Sequence, residues 1–264
     1  LAAYAGLRSG MSYLQTLADF GISKFYGGCD VVLSPSEATD GRLEELGIES
    51  EKVGRWDRGV DLQRFDPALR DRAFLGGNGE QINVLYAGRL TKEKGVELLA
   101  DSFLLAREAD PRLHLVLAGG GPEEDQLRER LGSNATFLGW QYGKDLARVY
   151  ASADMFLFAS VTDTFGNVVL EAQASGLPVI ATTEGGPATL IDNGETGLLA
   201  EPTPEAMAAA VGQIVASDLL AERLRRAALS AVRERSWDAS MERLANGYRR
   251  ALSAAEAAAV REVA

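Results

Sequence analysis

Two carboxylic acids on either side of a predicted helix start are the first candidates for chemistry in this sequence. Asp163 lies in a predicted loop, and Glu171 lies eight residues later on the second turn of the helix. The free N–H groups of such a helix start, at residues 166 to 168, bind anions such as phosphate. A phosphate held there would have one acid on either side. The same pattern fits an ordinary helix start with two solvated acids, and both interpretations stay open on spacing alone.

The boundaries of this helix are marked by residue types that favour helix ends. Asn167 is of a type that favours the N-cap position. Gly176, with Pro178 just beyond it, is typical of a helix C-terminus. A short apolar strand is predicted to follow from Val179 to Ala181. The stretch therefore predicts a loop, a helix and a strand in that order.

A second cluster of candidate residues has the opposite charge. Gly88 allows a close approach of the backbone, Arg89 presents a planar fork of donors, and Lys94 adds a point charge. Guanidinium and ammonium groups together are suited to a diphosphate. The alternative is a solvated loop with ordinary basic residues. Because the protein is acidic and the loop follows a strand at the predicted ligand edge, the functional interpretation is favoured.

Other chemistry-bearing patterns are weaker or absent. The turn Gly119-Gly120-Gly121-Pro122 is neither a dinucleotide fingerprint, because position 124 is Glu, nor a Walker A loop. It fits a tight turn as well as a binding loop. His114 is the only histidine, and its place in a predicted buried strand favours a structural role. No Asp-x-Asp pair occurs, so the sequence predicts no metal on a diphosphate and no cofactor.

The candidates are positioned by strands and helices that alternate after residue 81. Strands are predicted at 82–87, 113–118, 136–138, 155–158, 179–181 and 197–200, with helices at 96–109, 123–131, 143–152 and 168–175 between them. Such alternation predicts an α/β fold, a Rossmann-like parallel sheet with helices on both faces. Ligands bind at the carboxyl ends of the strands in these sheets. The candidate residues all follow strand ends, and this convergence is stronger than any single motif.

The chain outside this region predicts a second domain. Residues 1–29 read as a helix, residues 30–33 as a strand, and Ser36 with Thr39 as a helix cap. A Gly-rich stretch at 76–80 reads as a linker. The predicted organisation is a partial Rossmann-like domain with its linker at 1–80, a ligand-binding domain at 81–235 and a separate helix at 236–264.

Helices at the end of the chain are predicted to give support rather than chemistry. Residues 204–235 are rich in alanine and read as helices that pack against the sheet. The last helix carries five apolar residues, here called the apolar stripe: Trp237, Met241, Leu244, Tyr248 and Leu252. Their spacing places them on one helix face, for which core packing is the expected role.

Composition excludes several classes of protein. The net charge of −11 over 264 residues repels a nucleic-acid backbone, so a nucleic-acid-binding protein is not expected. Cys29 is the only cysteine, so an internal disulfide and a Cys-based zinc site are both excluded. No apolar run is long enough for a membrane helix, and the N-terminus does not resemble a signal peptide. A cytoplasmic location is expected.

Taken together, five segments resemble one known family. They are GRLTKEKG, LAGGGPEEDQL, FLGWQYGKDLARVYASADMFLFAS, TDTFGNVVLEAQASGLPVIA and GGPATLIDNGETGLL. They resemble the donor-binding half of retaining GT-B glycosyltransferases, in the bacterial group that includes sucrose-synthase-like and phosphatidylinositol-mannosyltransferase-like enzymes (glycosyl transferases group 1). Residues 30–67 resemble the end of that family's N-terminal domain, and the last helix resembles its C-terminal segment, which returns to that domain.

The resemblance assigns roles to residues of this chain that match the family's motifs. It places Arg89 and Lys94 on the nucleotide diphosphate, with Gly88 beside them. Glu171 matches the second acid of the E-x(7)-E signature, which binds the ribose hydroxyls, and Asp163 stands where a glutamate usually faces the sugar. The phosphate-side backbone and the loop near the base complete the set: Phe165, Gly166, Asn167, Val168 and Gln141. Asp163 and Gln173 depart from the family pattern, which has Glu and usually Met there.

The implied reaction is a metal-independent, retaining transfer of a hexose from a UDP- or GDP-sugar to a hydroxyl acceptor, such as a lipid or a glycan. The chain begins at Leu1 and lacks the family's acceptor loop, so it is expected to be a fragment that does not transfer sugar by itself. The resemblance also allows peripheral contact with the inner face of the membrane. The alternatives are a non-catalytic nucleotide-binding module and a sugar-nucleotide epimerase of the same architecture.

Overall fold

The computed structural model describes residues 12–76 and 80–263, and these residues form two compact units. The smaller unit combines Leu1–Gly59 with Trp237–Ala264, and the larger unit is Val60–Ser236. Residues 77–79 of the predicted linker lie outside the described residues, and the described residues on both sides of them belong to the larger unit. Residues before the linker are held there, since the side chain of Arg70 donates to the carbonyl of Ala151 at 3.1 Å and the amide of Asp71 donates to Ser152 Oγ at 3.1 Å.

The larger unit is built on a six-stranded parallel sheet with strand order β5-β4-β3-β6-β7-β8. The strands are β3 (Ile82–Ala87), β4 (Leu113–Ala118), β5 (Ala135–Gly139), β6 (Met155–Phe158), β7 (Val179–Thr182) and β8 (Leu198–Ala200). The helices are α3 (Val96–Ala109), α4 (Glu124–Leu131), α5 (Gly143–Ser152), α6 (Asn167–Ala174), α7 (Pro204–Val215) and α8 (Asp218–Val232). The predicted parallel α/β sheet is thereby confirmed.

The core lies on both faces of this sheet. Val84, Leu85 and Tyr86 of β3 are fully buried, as are Phe156 and Leu157 of β6. A strand covered by helices on both faces needs an almost continuous apolar run, and these strands have one. The chain leaves β3 toward β4 on one side and returns to β6 on the other. This reversal is the switch point at which open α/β sheets bind ligands.

The start of helix α6 differs from the prediction in one respect. The helix begins at Asn167, but the N-cap position belongs to Gly166, whose backbone is left-handed with φ 87° and provides no side-chain cap. The expectation that Asn167 acts as the N-cap is therefore wrong. Glycine is needed at this cap because a Cβ atom there would also lie 2.7 Å from Cγ of Pro187.

The smaller unit contains a short two-stranded parallel sheet and three helices within its described residues. They are α1 (Ser12–Gly27), β1 (Val32–Ser34), α2 (Glu37–Glu45), β2 (Val53–Arg55) and α9 (Trp237–Val263). The predicted helix over residues 1–29 is described only from residue 12, and its first residues lie outside the described part. Ser36 caps α2 as predicted, accepting a hydrogen bond from the Thr39 amide at 3.3 Å.

The apolar stripe of α9 is not a packing face, contrary to the prediction. Tyr248 and Leu252 are 64% and 65% exposed. A neighbouring face of the helix packs instead through small residues: Ser240 is fully buried, and a Cβ on Gly247 would lie 2.7 Å from Leu33 of β1. Small residues let a helix backbone approach a strand, so the covered face is the one without large side chains. None of the helices in the described ranges is long and apolar enough to cross a bilayer.

Candidate functional site

Two loops meet at the carboxyl end of the sheet beside the switch point. The β3–α3 loop spans residues 88–95, and the β6–α6 loop spans residues 159–166. Ser160 Oγ and Thr162 Oγ1 both donate to the carbonyl of Glu93, at 3.2 and 2.6 Å. A Cβ on Gly95, which has a φ of +68°, would lie 2.2 Å from the carbonyl oxygen of Ala159. The two loops are thus packed backbone against backbone.

The cation and the acid predicted for the site are in direct contact. Lys94 Nζ lies 2.7 Å from Asp163 Oδ2, and the side chains are only 21% and 18% exposed. The second carboxylate oxygen, Oδ1, accepts hydrogen bonds from the amides of Phe165 and Gly166 at 3.3 and 3.2 Å. The ammonium group and the two backbone amides just before helix α6 therefore converge on one negative group, which is supplied by the protein itself.

The turn after β7 completes the wall around this ion pair. The amide of Gly186 donates to the carbonyl of Asp163 at 2.8 Å. A Cβ on Gly186 would lie 2.2 Å from the carbonyl of Thr164, so only glycine allows this approach. The Gly-Gly-Pro sequence that follows the strand thus serves the packing of the β6–α6 loop.

Arg89 lies at the same edge but is held less tightly. Its side chain is 58% exposed and pairs with Glu93 at 2.8 Å, four residues along the chain. Exposed pairs of this kind contribute little free energy, so the guanidinium can exchange its partner for a ligand anion. The Arg89 backbone is fixed, because its carbonyl accepts from the buried hydroxyl of Tyr86 at 2.8 Å.

Glu171 occupies a different environment from Asp163. Its Oε2 atom accepts a hydrogen bond at 2.9 Å from the hydroxyl of Tyr150, a fully buried residue of α5. Burial raises the pKa of Glu171 above its ordinary value, while the Tyr150 hydrogen bond and the positive charge of Arg64 oppose that rise. Burial and the neighbouring carboxylate also raise the pKa of Tyr150 well above its usual value, so the phenol stays a donor.

The loop predicted to contact the nucleobase has one side chain hydrogen-bonded to the protein's own backbone. Gln141 Nε2 donates to the carbonyl of Leu138 at 2.7 Å, which fixes its side-chain amide against the end of β5. Trp140 beside it is 52% exposed, and its indole nitrogen lies 2.9 Å from where a Cβ on Gly120 would stand. The Gly-rich turn after β4 is therefore explained by close packing: a Cβ on Gly119 would collide with the carbonyl of Gly88.

The structure brings Lys94, Asp163, Phe165 and Gly166 into direct contact. Val168 is half-buried within the first turn of α6, and the side-chain oxygen of Asn167 is buried without a protein partner. Sequence reasoning missed Tyr150, because its place inside an ordinary helix gives no sign of a partner 21 residues away.

His114 has the structural role that the sequence predicts. Its Nε2 atom lies 2.8 Å from Thr136 Oγ1 across the neighbouring strands β4 and β5. Burial, and then the charge of Arg107, lowers its pKa. Among the described residues, no three His, Cys, Asp or Glu side chains are grouped so that they could hold a metal ion. Metal independence stays a prediction.

The sheet order, the glycine-packed loops and the charged switch point define a class, the α/β domain of GT-B glycosyltransferases. Its architecture is shared with sucrose-phosphate synthase from Thermosynechococcus elongatus, with a TM-score of 0.80 and 27% identity over 96% of this chain and 66% of that one. Anabaena HepE, solved with UDP and glucose, has the same fold at a TM-score of 0.73 and 21% identity, covering 83% of this chain and 63% of that one.

Residues 81–217 match the family described as "Glycosyl transferases group 1", and the chain belongs to it. The GDP-mannose-dependent alpha-mannosyltransferase of Corynebacterium glutamicum is 35% identical over 86% of this chain and 54% of its own length. The enzyme of the same name from Mycolicibacterium smegmatis is 39% identical over 86% of this chain and 60% of its own length. The chain thus spans little more than half the length of these curated relatives.

Proposed function

We propose that this chain carries the nucleotide-sugar site of a hexosyltransferase that uses a GDP- or UDP-sugar. The observation that carries the proposal is the convergence of Lys94 and the amides of Phe165 and Gly166 on a single anionic group. A phosphate group, with several acceptor oxygens, can accept the same three hydrogen bonds as this carboxylate group. The carboxylate of Asp163 marks the place that a donor phosphate takes when it binds.

The residues next to this phosphate position contact the other parts of the donor: the rest of the diphosphate, the ribose and the sugar. Arg89 leaves its exposed pair with Glu93 to contact the diphosphate. Glu171, on the second turn of the same helix, accepts hydrogen bonds from the ribose hydroxyls. Asp163, once displaced by phosphate, accepts a hydroxyl of the sugar to be transferred. Gly88, Gln141 and Val168 shape the backbone and the base side of the pocket.

The proposed reaction is transfer with retention of configuration, without a metal and without a protein nucleophile. Charge grows on the departing diphosphate, and fixed cations and helix amides at this place stabilise it. The acceptor is a hydroxyl group of a lipid or glycan. Because two relatives carry the name GDP-mannose-dependent alpha-mannosyltransferase, GDP-mannose is the first donor to test. The reaction belongs to the cytoplasmic side, with or without peripheral contact with a membrane.

Calorimetry with GDP, UDP and ADP tests the binding step on this chain. We expect GDP or UDP to bind, with the same affinity in the presence of EDTA. Absence of binding by all three nucleotides would overturn the proposed site, and loss of binding in EDTA would overturn metal independence.

Product analysis tests the transfer step on the full protein. GDP-mannose and UDP-glucose are supplied with a mixture of hydroxyl acceptors, and products are separated by chromatography. A new α-glycoside supports retaining transfer. An epimerised sugar nucleotide without a glycoside supports the epimerase instead, and intact donor despite tight binding supports a non-catalytic nucleotide-binding module.

A further inference from the structure

Tyr150 is a buried phenol whose position is fixed from several sides. Its side chain is fully buried on α5. The ring packs edge-on against Phe65, with centroids 5.5 Å apart, and in a tilted arrangement against Phe156, with centroids 5.7 Å apart. A ring held in this way can place its hydroxyl in only one direction, and that direction leads to Glu171 Oε2 at 2.9 Å. The hydroxyl is therefore a preorganised donor.

Glu171 is held at one of its two carboxylate oxygens. Oε2 accepts from Tyr150, whereas Oε1 makes no hydrogen bond or ion pair to any residue of the described chain. Oε1 is also not among the buried polar atoms that lack a partner, so it is open to solvent or ligand. The charged and titratable groups that act on this carboxylate are Tyr150 from α5 and Arg64 from the segment before residue 67. Tyr86 of β3 acts in turn on Tyr150.

We propose that Tyr150 is a positioning residue for sugar-nucleotide binding: its hydroxyl fixes Glu171 Oε2 so that Oε1 is presented to the ribose hydroxyls. This inference rests on the proposed function, because it needs Glu171 to contact the nucleotide. Because the carboxylate is already held in one orientation, ligand binding does not incur the conformational entropy cost of ordering the Glu171 side chain. The same hydrogen bond favours the ionised carboxylate, which is the form that accepts two hydroxyls.

Tyr150→Phe tests the inference because it removes the hydroxyl and keeps the ring. We expect calorimetry to show GDP binding roughly fivefold weaker, the equivalent of about one ordinary hydrogen bond. Binding of 2′,3′-dideoxy-GDP, which lacks both ribose hydroxyls, should be unchanged by the substitution. A general distortion of the site would instead weaken both nucleotides equally. Tyr248→Phe removes a hydroxyl from an exposed tyrosine and serves as the control for binding.

The pH dependence gives a second readout that a packing role would not change. GDP affinity should fall as the pH is lowered through the pKa of Glu171, and this fall should begin at a higher pH in Tyr150→Phe. The pKa of Glu171 can be followed without ligand by NMR of the carboxyl carbon. It should rise in Tyr150→Phe and stay unchanged in Tyr86→Phe, which loses a buried hydroxyl that donates elsewhere.

The outcomes separate the inference from the function on which it rests. Weaker GDP binding with unchanged dideoxy-GDP binding and a raised Glu171 pKa supports the inference. If Glu171→Gln weakens GDP but Tyr150→Phe changes neither affinity nor pKa, the inference is overturned and the nucleotide site stands. If neither GDP nor UDP binds the unmodified chain, the nucleotide site and the inference are overturned together.

Discussion

The two ends of the candidate site hold their carboxylates in opposite states. At the proposed phosphate end, both oxygens of Asp163 are occupied, one by Lys94 and the other by the amides of Phe165 and Gly166. At the proposed ribose end, Glu171 is held at one oxygen only, by a buried phenol. A ligand must therefore replace a protein contact at the first end, whereas at the second end it meets an acceptor that is already oriented.

The partners of the two carboxylates explain why each arrangement is tolerated. Lys94 and Asp163 retain contact with solvent, so an exchange of the carboxylate for a phosphate leaves neither group stranded in an apolar surrounding. Burial raises the pKa of the Glu171 carboxyl, and the buried Tyr150 hydroxyl holds that carboxyl at one oxygen. The phosphate end is thus suited to exchange of partners, and the ribose end is suited to discrimination.

Removal of both cations should have the largest effect. We expect Arg89→Ala with Lys94→Ala to weaken GDP by about a hundredfold or more, because two charge-assisted interactions with the diphosphate are lost. Calorimetry measures the change. The matched control is Arg226→Ala with Lys52→Ala, which removes two cations with similar local acidic partners far along the chain. Equal affinity in the double variant and the parent would refute the phosphate assignment.

Glu171→Gln tests whether the carboxylate at the ribose end accepts hydrogen bonds from the ribose hydroxyls. The variant keeps an oxygen for Tyr150 but presents an amide donor or a weaker acceptor to the ribose. We expect GDP and GDP-mannose to weaken alike, by roughly ten- to a hundredfold. A titration with 2′,3′-dideoxy-GDP provides the control, since this nucleotide should bind the variant and the parent equally. If GDP and its dideoxy analogue lose affinity equally, Glu171 does not contact the ribose hydroxyls.

Asp163→Asn tests whether the phosphate end works by exchange. The amide oxygen of Asn can still accept from the amides of Phe165 and Gly166, but it no longer pairs with Lys94 as an anion. We therefore expect GDP to bind as well as before or slightly more tightly, and GDP-mannose to bind about tenfold more weakly. If GDP weakens as much as in Glu171→Gln, Asp163 acts as a loop-capping residue and not on the sugar.

The sheet that positions both ends could be predicted because local signals agree along it. The bounds of α3 and β4 match the prediction, since apolar periodicity and flanking Gly, Asp and Pro residues all indicate the same limits. The placement of Arg89, Lys94 and Asp163 at one edge also follows, because each residue comes after the carboxyl end of a strand in a parallel sheet. In each case the sequence carries the information within a few neighbouring residues.

The remaining features depend on contacts that no local pattern encodes. The bond between Tyr150 and Glu171 joins two helices across 21 residues, and either residue alone reads as an ordinary helical position. Periodicity predicts that the apolar stripe of α9 packs in the core, but periodicity only shows that a helix has two different faces. Which face is covered is decided by close approach at Gly247 and Ser240.

The smallest expected effect is on stability, and it follows from the pKa of Glu171. Burial raises that pKa in the folded chain above the ordinary value of the unfolded chain. Between the two values, the folded state keeps a proton that the unfolded state has lost. The free energy of unfolding therefore falls as pH rises through this interval. At higher pH it stays lower by the full cost of ionising the buried carboxyl. In Glu171→Gln the side chain cannot ionise, so this loss of stability at high pH is absent.

We expect Glu171→Gln to unfold at a temperature on the order of 2 °C above the parent at about pH 8. The difference should vanish below about pH 4, where the carboxyl is protonated in both states. Thermal unfolding of ligand-free protein across this range measures it, with Glu222→Gln on the exposed face of α8 as the control. A variant less stable than the parent at pH 8 would show that Tyr150 and Arg64 outweigh burial. The ionised Glu171 would then contribute to the fold as well as to binding, and the ribose end would resemble the phosphate end in being stabilised by its own partners.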